Sequence, residues 1–273
     1  FFESNEVSLK ESVTLKTGQN VVCGFLGAGN YASRVLIPAF KKANTRLEIL
    51  VTSSGLNSRI HGKKNGFFVA STNEKSVLES SLINTVVIAT RHNLHADQVI
   101  AALESNKNVF VEKPLAITLD QIDKIEATYN SLISGKPRLM VGFNRRFSPY
   151  SSKIKSLLTN QSGPKVFVMT INAGELPKNH WTQDSTIGGG RIIGEACHFV
   201  DLLRFLVGSK IVGYTATKIG DSPGVEIRED KVSITLSFFD GSIGTIHYLS
   251  NGGKVFPKER LDVFCNGAVL QLN

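Results

Sequence analysis

The chain has 273 residues, of which 41% are hydrophobic and 20% are charged, and this composition excludes wholesale disorder. The sequence has no run of 18 apolar residues, so neither a transmembrane helix nor a membrane partner is predicted. Its three cysteines, Cys23, Cys197 and Cys265, are far apart, so neither a disulfide framework nor a metal site is expected, and a cytoplasmic location fits. The formal net charge of +8 comes from scattered basic pairs, which argues against a nucleic-acid partner and indicates a solvated basic surface or attraction for an anionic cofactor or substrate.

The first twenty residues are interpreted as an extension or linker from an upstream region. They contain acidic and amide residues and lack the basic start and long apolar core of a secretory signal. The chain does not begin with Met. We therefore expect it to be a segment of a larger polypeptide.

Residues 21–142 are predicted to form a parallel, doubly wound sheet. Short runs that are apolar on both faces alternate with segments of helical periodicity, as expected for buried parallel strands and their crossover helices. Short connections favour right-handed strand–helix–strand units. The predicted strands cover residues 21–27, 47–52, 85–89, 108–111 and 139–141, and helical patterns occur at about 35–40, 95–103 and 119–132.

Residues 143–273 are predicted to form a second, α+β domain with a large, open and mostly antiparallel sheet. Several of its strands show period-two alternation, and Asp240-Gly241 is a hairpin signal. One strong helical pattern covers residues 196–207. The predicted strands cover residues 166–173, 211–219, 232–239 and 242–250.

A glycine-rich turn follows the first predicted strand. The sequence Gly27-Ala28-Gly29-Asn30-Tyr31-Ala32 has the pattern Gly-x-Gly-x-x-Ala. Gly27 permits a tight turn, Gly29 lets a pyrophosphate approach the backbone, and Ala32 lets the helix pack close to the strand. Alone, the pattern also fits a structural turn. Between a strand and a helix at the start of an alternating domain, it predicts a Rossmann dinucleotide-binding site.

The end of the second strand bears on which dinucleotide binds. An acidic residue there would hold the ribose diol of NAD, but the sequence is Thr52-Ser53-Ser54. Arg59, Lys63 and Lys64 would then approach a 2′-phosphate, unless they are only the polar face of a helix. This favours NADP over NAD.

The segment Glu112-Lys113-Pro114 follows directly after the predicted strand at residues 108–111. In an open α/β sheet, the carboxyl ends of the strands face the ligand crevice. A lysine at this edge can polarise a carbonyl or transfer a proton while hydride moves. Lys113 is therefore predicted to be catalytic.

Five segments together resemble the Gfo/Idh/MocA family, the group of glucose–fructose and inositol dehydrogenases. They are GAGNYA, ATRHNLHA, FVEKPLA, VGFNRRFSP and GGGRIIGEACHFVDLLRFL, and the resemblance extends from about Val21 to the end of the chain. It implies a Rossmann domain, a second α/β domain with an open sheet, and oxidation or reduction of sugars, cyclitols and their derivatives with NAD or NADP. It also implies that Lys113 and His198 correspond to the family's catalytic lysine and histidine.

Two positions depart from the family pattern. The family often has Asp four residues before the catalytic histidine, where this chain has Gly194 followed by Glu195. Glu195 either substitutes for that Asp, since residues three apart share roughly one helix face, or the proton relay differs. Many relatives have Pro-Asn where this chain has Arg91-His92. The combination resembles the branch fused behind a zinc-type alcohol dehydrogenase module, which implies an upstream enzyme domain.

Four further residues each have a functional and a structural interpretation. His95 lies near the cofactor by the resemblance, or it is a cap or core histidine. Asn144 and Arg145 anchor substrate or cofactor, or Arg145 belongs to a solvated charged pair with Arg146. Trp181 forms a wall of the substrate pocket, or it is a packing residue.

The predicted site contains three groups of residues and no metal. The predicted catalytic residues are Lys113, His198 and Glu195. The predicted substrate-binding residues are Asn144, Arg145, Trp181 and His198. The predicted cofactor-binding residues are Gly27, Gly29, Asn30, Tyr31, Ala32, Ser53, Ser54, Arg59, Thr90, Arg91, His92, His95, Glu112 and Lys113.

The predicted function is NAD(P)-dependent hydride transfer to or from a CHOH or C=O group of a small, sugar-like molecule. The alternative is a non-catalytic dinucleotide-sensing or partner-binding module of the same fold, which the missing Asp keeps open. The resemblance also implies a homo-oligomer formed through the open sheets. It further implies that the second domain continues beyond Asn273.

Overall fold

The computed structural model describes residues 5–11, 21–132 and 135–273 of the chain. These residues form two compact units, Phe1–Gly142 (unit 1) and Phe143–Asn273 (unit 2). Most of the predicted N-terminal extension, residues 1–20, lies outside the described residues. Within the described ranges, no helix is both long and apolar enough to cross a membrane.

Unit 1 has a seven-stranded sheet with helices in its crossovers. Its strands are β1 (Glu6–Ser8), β2 (Val22–Leu26), β3 (Arg46–Val51), β4 (Val69–Ser71), β5 (Thr85–Ile88), β6 (Asn108–Val111) and β7 (Leu139–Val141). Its helices are α1 (Ile37–Lys42), which continues from a π-helical turn (Ala32–Leu36), α2 (Gly55–Asn65), α3 (Lys75–Leu78), α4 (His92–Glu104) and α5 (Leu119–Ser131).

The strand order of this sheet is β1-β4-β3-β2-β5-β6-β7, and β2 to β7 run parallel. The predicted doubly wound parallel sheet is therefore confirmed. One part of the predicted extension is corrected, because β1 pairs antiparallel with β4 and so belongs to the sheet edge. Strand β1 has only one apolar residue, Val7, and all three of its residues are exposed, so it shows no strand pattern in the sequence.

Two apolar clusters cover the two faces of the unit 1 sheet. Val22 and Leu26 of β2 belong to the cluster beneath α4 and α5, whereas Cys23 and Phe25 belong to the cluster that includes Leu36 and neighbouring α1 residues. Alternate residues of one strand thus enter opposite clusters. This two-sided burial explains why these strands are apolar on both faces in the sequence.

Unit 2 has a six-stranded sheet in the order β13-β12-β8-β11-β10-β9. Its strands are β8 (Val166–Asn172), β9 (Ile211–Lys218), β10 (Lys231–Phe238), β11 (Ile243–Leu249), β12 (Glu259–Cys265) and β13 (Ala268–Leu272). A 3₁₀ turn (Asn144–Phe147) precedes α6 (Pro149–Thr159), and a π-helical turn (Ile192–Ala196) precedes α7 (Cys197–Val207).

The sheet of unit 2 is mostly antiparallel and is covered by helices on one face. Among the described strands of unit 2, only β8 and β11 pair parallel. Phe167 and Met169 of β8 are buried in the cluster that includes α6 and α7 residues, whereas the alternating Val168 and Thr170 are only half-buried. Gly241 has a φ of +84° in the β10–β11 hairpin. The predicted open α+β sheet and its hairpin are confirmed.

Candidate functional site

The glycine turn after β2 leaves open space beside its backbone. Gly27 has a φ of +97°, and its N–H donates to the carbonyl of Val51 (2.9 Å). A Cβ on Gly27 would lie 2.4 Å from the carbonyl oxygen of Ala89, whereas a Cβ on Gly29 would meet no atom within 4 Å. A helix starts directly after this space, and the positive end of a helix dipole favours an anion, so the space fits a pyrophosphate.

The remaining residues of the predicted turn divide into exposed and buried ones. Asn30 and Tyr31 are exposed at the start of the helix. Ala32 is buried and begins the π-helical turn, so it serves close packing of the helix rather than ligand contact. Such π-helical turns occur often at functional sites.

Several predicted cofactor residues lie at the same edge of the unit 1 sheet. The strand order reverses between β2 and β5, and this reversal creates the ligand crevice of an open α/β sheet. Gly27 follows β2, Thr90 lies two residues after β5, and Glu112 follows β6. The carboxyl ends of these parallel strands meet at one edge, which therefore includes the predicted catalytic lysine.

The segment after β3 has the composition predicted for a 2′-phosphate contact. The hydroxyl of Thr52 donates to the carbonyl of Ser54 (2.6 Å), which precedes α2. Ser53 and Arg59 are exposed, and the pair Lys63-Lys64 lies in the last turn of α2. Residues 52–65 include no acidic side chain, so negative charge would meet no repulsion from this segment.

The loop after β6 places Lys113 next to Glu112, which is half-buried. The N–H of Glu112 donates to the carbonyl of Ile88 on the neighbouring strand (2.9 Å). Burial raises the pKa of the Glu112 carboxyl, and the adjacent Lys113 ammonium opposes this shift. Lys113 itself is half-buried. A lysine in this position can approach a ligand while its backbone stays anchored to the sheet.

The loop between β5 and α4 has both exposed and buried residues. Arg91 is exposed immediately before α4. The hydroxyl of Thr90 donates to Oε1 of Gln98 (2.6 Å). His92 is buried, with its ring centroid 5.7 Å from that of His95.

His95 corrects one predicted contact. Its side chain is completely buried, with Nδ1 2.7 Å from the carbonyl oxygen of Pro114 and Nε2 3.3 Å from that of Thr90. Burial lowers the pKa of this histidine. The predicted direct contact with the cofactor is therefore replaced by a core position between two loops.

In unit 2, His198 lies in the first turn of α7. It is 8% exposed, and its ring makes an edge-to-face contact with Phe143 at a centroid distance of 6.1 Å. The π-helical turn Ile192–Ala196 comes directly before this helix. His198 therefore lies two residues after an irregular helical turn, a feature that often occurs at functional sites.

The carboxylate of Glu195 has two polar partners. It accepts hydrogen bonds from the hydroxyl of Tyr248 and from Nη2 of Arg191 (3.2 Å). Arg191 also donates to the carbonyl of Gly174 (2.6 Å) and lies 3.7 Å from the carboxylate of Asp230. Burial raises the pKa of Tyr248, and Glu195 raises it further. These contacts orient Glu195 toward the sheet, which favours a structural role over the predicted proton relay.

The other predicted substrate residues have contrasting surroundings. Arg145 forms an ion pair with Glu259 on β12, so its charge is neutralised within unit 2. Asn144 is exposed. Trp181 lines a cavity of about 1140 Å³ together with the tilted ring of His180. The cavity favours the pocket-wall interpretation of Trp181, and the ion pair favours a structural role for Arg145.

Sequence patterns gave no indication of Arg191, Asp230 or Tyr248. Tyr248 lies 53 residues after its partner Glu195, so no local spacing connects the two. A tyrosine at a buried position of an alternating strand was the one available signal, because a buried hydroxyl needs a polar partner.

Two family models match consecutive parts of the chain. The model of the Gfo/Idh/MocA oxidoreductase family with an NAD-binding Rossmann fold matches residues 21–143, and that of the Gfo/Idh/MocA C-terminal domain matches residues 160–270. This chain belongs to the Gfo/Idh/MocA family. The resemblance predicted from five sequence segments is therefore confirmed at the level of the family.

Relatives of this Gfo/Idh/MocA protein include named sugar and cyclitol dehydrogenases. Myo-inositol 2-dehydrogenase of Thermotoga maritima is 27% identical over 174 residues, which is 62% of this chain and 51% of the relative. Levoglucosan dehydrogenase of Pseudarthrobacter phenanthrenivorans is 24% identical over 259 residues, which is 84% of this chain and 66% of the relative. This chain therefore spans about half to two-thirds of the length of these relatives.

The fold of this Gfo/Idh/MocA protein also occurs among solved structures. Myo-inositol dehydrogenase from Lactobacillus casei, in complex with NAD(H) and myo-inositol, superposes with a TM-score of 0.76. The two are 20% identical, and the match covers 93% of this chain and 74% of that structure. At this identity the likeness establishes the fold alone.

Proposed function

We propose that this chain catalyses NAD(P)-dependent hydride transfer between nicotinamide and a CHOH or C=O group of a sugar, cyclitol or related molecule. The observation that carries the proposal is the open space beside Gly29, which lies at the same sheet edge as Lys113. Family membership and the names of the relatives support the same reaction type.

The residues of unit 1 fit a nicotinamide dinucleotide. The backbone from Gly27 to Tyr31 would hold the pyrophosphate, and Thr90 and Arg91 would lie beside the nicotinamide ring. When bound, the dinucleotide supplies or accepts the hydride. The chain supplies orientation and charge around it.

Two side chains are assigned to the proton and to the substrate oxygen. Lys113 orients and polarises the oxygen of the reacting carbon through its ammonium group, and His198 takes the proton of the hydroxyl during oxidation and returns it during reduction. Neither role involves Glu195 directly, since its carboxylate is engaged by Tyr248 and Arg191.

The reaction is tested by measuring coenzyme reduction with a panel of polyols for the wild type and two variants. We expect Lys113→Ala and His198→Ala each to lower kcat by about 10²- to 10⁴-fold. Lys124→Ala, an exposed position on α5, should retain the wild-type rate. Wild-type rates in both site variants would exclude the assigned roles. Tight dinucleotide binding without turnover of any polyol would instead support the sensing module.

We further propose that the chain prefers NADP. The hydroxyl groups of Ser53 and Ser54 donate hydrogen bonds to the 2′-phosphate. The Arg59 guanidinium supplies positive charge in place of the acidic residue that suits NAD. Arg59→Ala should lower kcat/KM for NADPH about tenfold while changing that for NADH little. Arg138→Ala, another exposed arginine of unit 1, should leave the ratio unchanged. Equal loss with both coenzymes would contradict the preference.

We also propose self-association through the open face of the unit 2 sheet. Half-buried side chains such as Val168 and Thr170 lie on this face, and the family resemblance implies that two copies pair through such faces. Light scattering of the purified chain tests the oligomeric state. The upstream fusion and the cytoplasmic location remain predictions of the sequence.

A further inference from the structure

His95 lies among the backbone carbonyls on both sides of Lys113. Its Nδ1 is 2.7 Å from the carbonyl oxygen of Pro114, which follows Lys113 in the chain. The backbone of Glu112, which precedes Lys113, also contributes a hydrogen-bond interaction to the ring. Nε2 lies 3.3 Å from the carbonyl oxygen of Thr90. The imidazole thus connects the loop after β5 to the loop that includes Lys113.

The neutral imidazole has a single N–H, and the two distances decide where it lies. Burial is the main cause that lowers the pKa of His95; hydrogen bonds to the backbone of Pro114, Thr90 and Glu112 oppose the shift, and the positive charge of Lys113 adds to it. The lowered pKa favours the neutral ring at neutral pH. The contact to Pro114 is 0.6 Å shorter than that to Thr90 (3.3 minus 2.7). The proton is therefore assigned to Nδ1, which donates to Pro114.

The framework that holds His95 is itself fixed by hydrogen bonds. The Thr90 hydroxyl donates to Oε1 of Gln98 (2.6 Å), and Nε2 of Gln98 donates to Glu74 (2.5 Å). Both His95 and Gln98 are buried residues of α4. Helix α4 is therefore a rigid support from which the imidazole reaches the Lys113 loop.

We propose that His95 is a positioning residue for Lys113, acting through the Nδ1–H bond to the Pro114 carbonyl rather than through contact with the cofactor. The inference rests on the proposed function, because it assigns to this bond the task of holding the lysine at the site of hydride transfer. A displacement of about 1 Å at such a group lowers the rate on the order of 10²-fold.

A pair of amide variants distinguishes this bond from simple filling of the core. In His95→Asn the side-chain amide takes the place of Nδ1 and retains a donor toward Pro114. In His95→Gln the amide takes the place of Nε2 and faces Thr90 instead. The two variants are both polar and differ by one methylene. His95→Ala removes both contacts, and the amide pair decides the question if His95→Ala does not fold.

The variants are compared by steady-state kinetics with both coenzymes. We expect His95→Asn to retain kcat within about fivefold, and His95→Gln and His95→Ala to lose about 10- to 100-fold. The dissociation constant of the coenzyme should stay unchanged in all variants. Equal loss in the two amide variants would overturn the proposal. A selective increase in the coenzyme dissociation constant would also overturn it, in favour of direct cofactor contact.

Backbone hydrogen–deuterium exchange supplies a readout without coenzyme or substrate. Exchange over residues 112–118 should be faster than wild type in His95→Gln and His95→Ala and near wild type in His95→Asn. Exchange that is identical in all variants would overturn the proposal. If the wild type reduces no coenzyme with any alcohol while this exchange pattern holds, the proposed reaction fails and the backbone contact to the Lys113 loop is supported.

Discussion

At the scale of single residues, Gly27 and Gly29 differ in what a side chain would meet. A methyl group on Gly27 collides with the Ala89 carbonyl at 2.4 Å on a backbone with φ of +97°, whereas on Gly29 it enters open space. Gly27→Ala should therefore lower the free energy of unfolding by about 2–4 kcal/mol. Gly29→Ala should change it by less than about 0.5 kcal/mol.

For coenzyme affinity, unlike the free energy of unfolding, we expect a clear effect of Gly29→Ala. Because the methyl group of Gly29→Ala occupies space that a pyrophosphate requires, the variant should bind NADH and NADPH at least about tenfold more weakly. Denaturant unfolding and fluorescence titration of the same samples measure both quantities. Unchanged coenzyme affinity in a stable Gly29→Ala protein would contradict the assignment of the turn.

Asp230 gives a prediction with a defined pH dependence. Burial opposes its ionisation, but hydrogen bonds from Lys231 and Gln183 hold its pKa below the ordinary value. A lowered carboxyl pKa stabilises the fold above the unfolded-state pKa of about 3.9 and loses that contribution as the pH falls through the folded-state value. Asp230→Asn should therefore cost about 1–3 kcal/mol at pH 7.

The difference between wild type and Asp230→Asn should begin to narrow as the pH falls below about 4, because protonation of the carboxyl then favours the unfolded state, and it should close once the folded-state carboxyl is protonated as well. Urea unfolding at several pH values measures it. Asp221→Asn, which is 86% exposed, is the control and should have little effect at any pH. A difference that stays constant into acid would show that the charge of Asp230 contributes nothing.

How far sequence identifies a site residue depends on whether its partners are local. The open space beside Gly29 agrees with a prediction made from the turn pattern, since that pattern lies within six consecutive residues. Arg145 pairs with Glu259, which is 114 residues away, and no spacing rule connects them. For His95 the sequence left contact with the cofactor and a core position both open, because its burial depends on a loop nineteen residues later.

At the scale of elements, one ion pair joins the 3₁₀ turn to α7 within unit 2. Arg146 makes two hydrogen bonds to the carboxylate of Asp201, which is 7% exposed. Lysine cannot reproduce this planar, two-pronged contact. Arg146→Lys should therefore lower the free energy of unfolding by about 1–2 kcal/mol.

Arg204→Lys is the matched control for Arg146→Lys. Arg204 lies on α7 itself and is exposed, so its replacement should change the free energy of unfolding by less than about 0.5 kcal/mol. Denaturant unfolding of both variants in parallel measures the difference. Equal effects would mean that the positive charge, which lysine retains at residue 146, is sufficient and that the two-pronged geometry contributes no stability.

Strands and helices were predictable where their residues formed a continuous apolar run or a clear helical period. Strands β6 and β7 have the predicted bounds. Helix α5 starts at the predicted residue, directly after a capping box formed by Thr118 and Gln121, and it ends one residue before its predicted end. Strand β4 (Val-Ala-Ser) was missed because only one of its three residues has a large apolar side chain, whereas all three residues of β7 (Leu-Met-Val) have one. Helix α2 was considered only as an alternative for Arg59, Lys63 and Lys64, because its residues are almost all polar and it has no apolar face to recognise.

At the scale of the whole molecule, net charge affects coenzyme binding over distances longer than a hydrogen bond. The chain has a formal net charge of +8, and a dinucleotide is an anion. At low salt the protein's field extends about 10 Å or more, and added salt screens it. Coenzyme affinity should therefore fall as ionic strength rises. This effect acts on the association of coenzyme with protein and arises from the net charge rather than from the fold.

The two coenzymes should respond to salt differently, because NADPH has a 2′-phosphate that NADH lacks. We expect the dissociation constant of NADPH to rise more steeply than that of NADH as KCl increases to about 0.3 M, where the screening length approaches 5–6 Å. Arg59→Ala should reduce the difference between the two slopes, whereas Arg138→Ala should lower both slopes equally. Parallel slopes for both coenzymes in the wild type would mean that the 2′-phosphate meets no positive side chain, and the segment after β3 would then favour NAD.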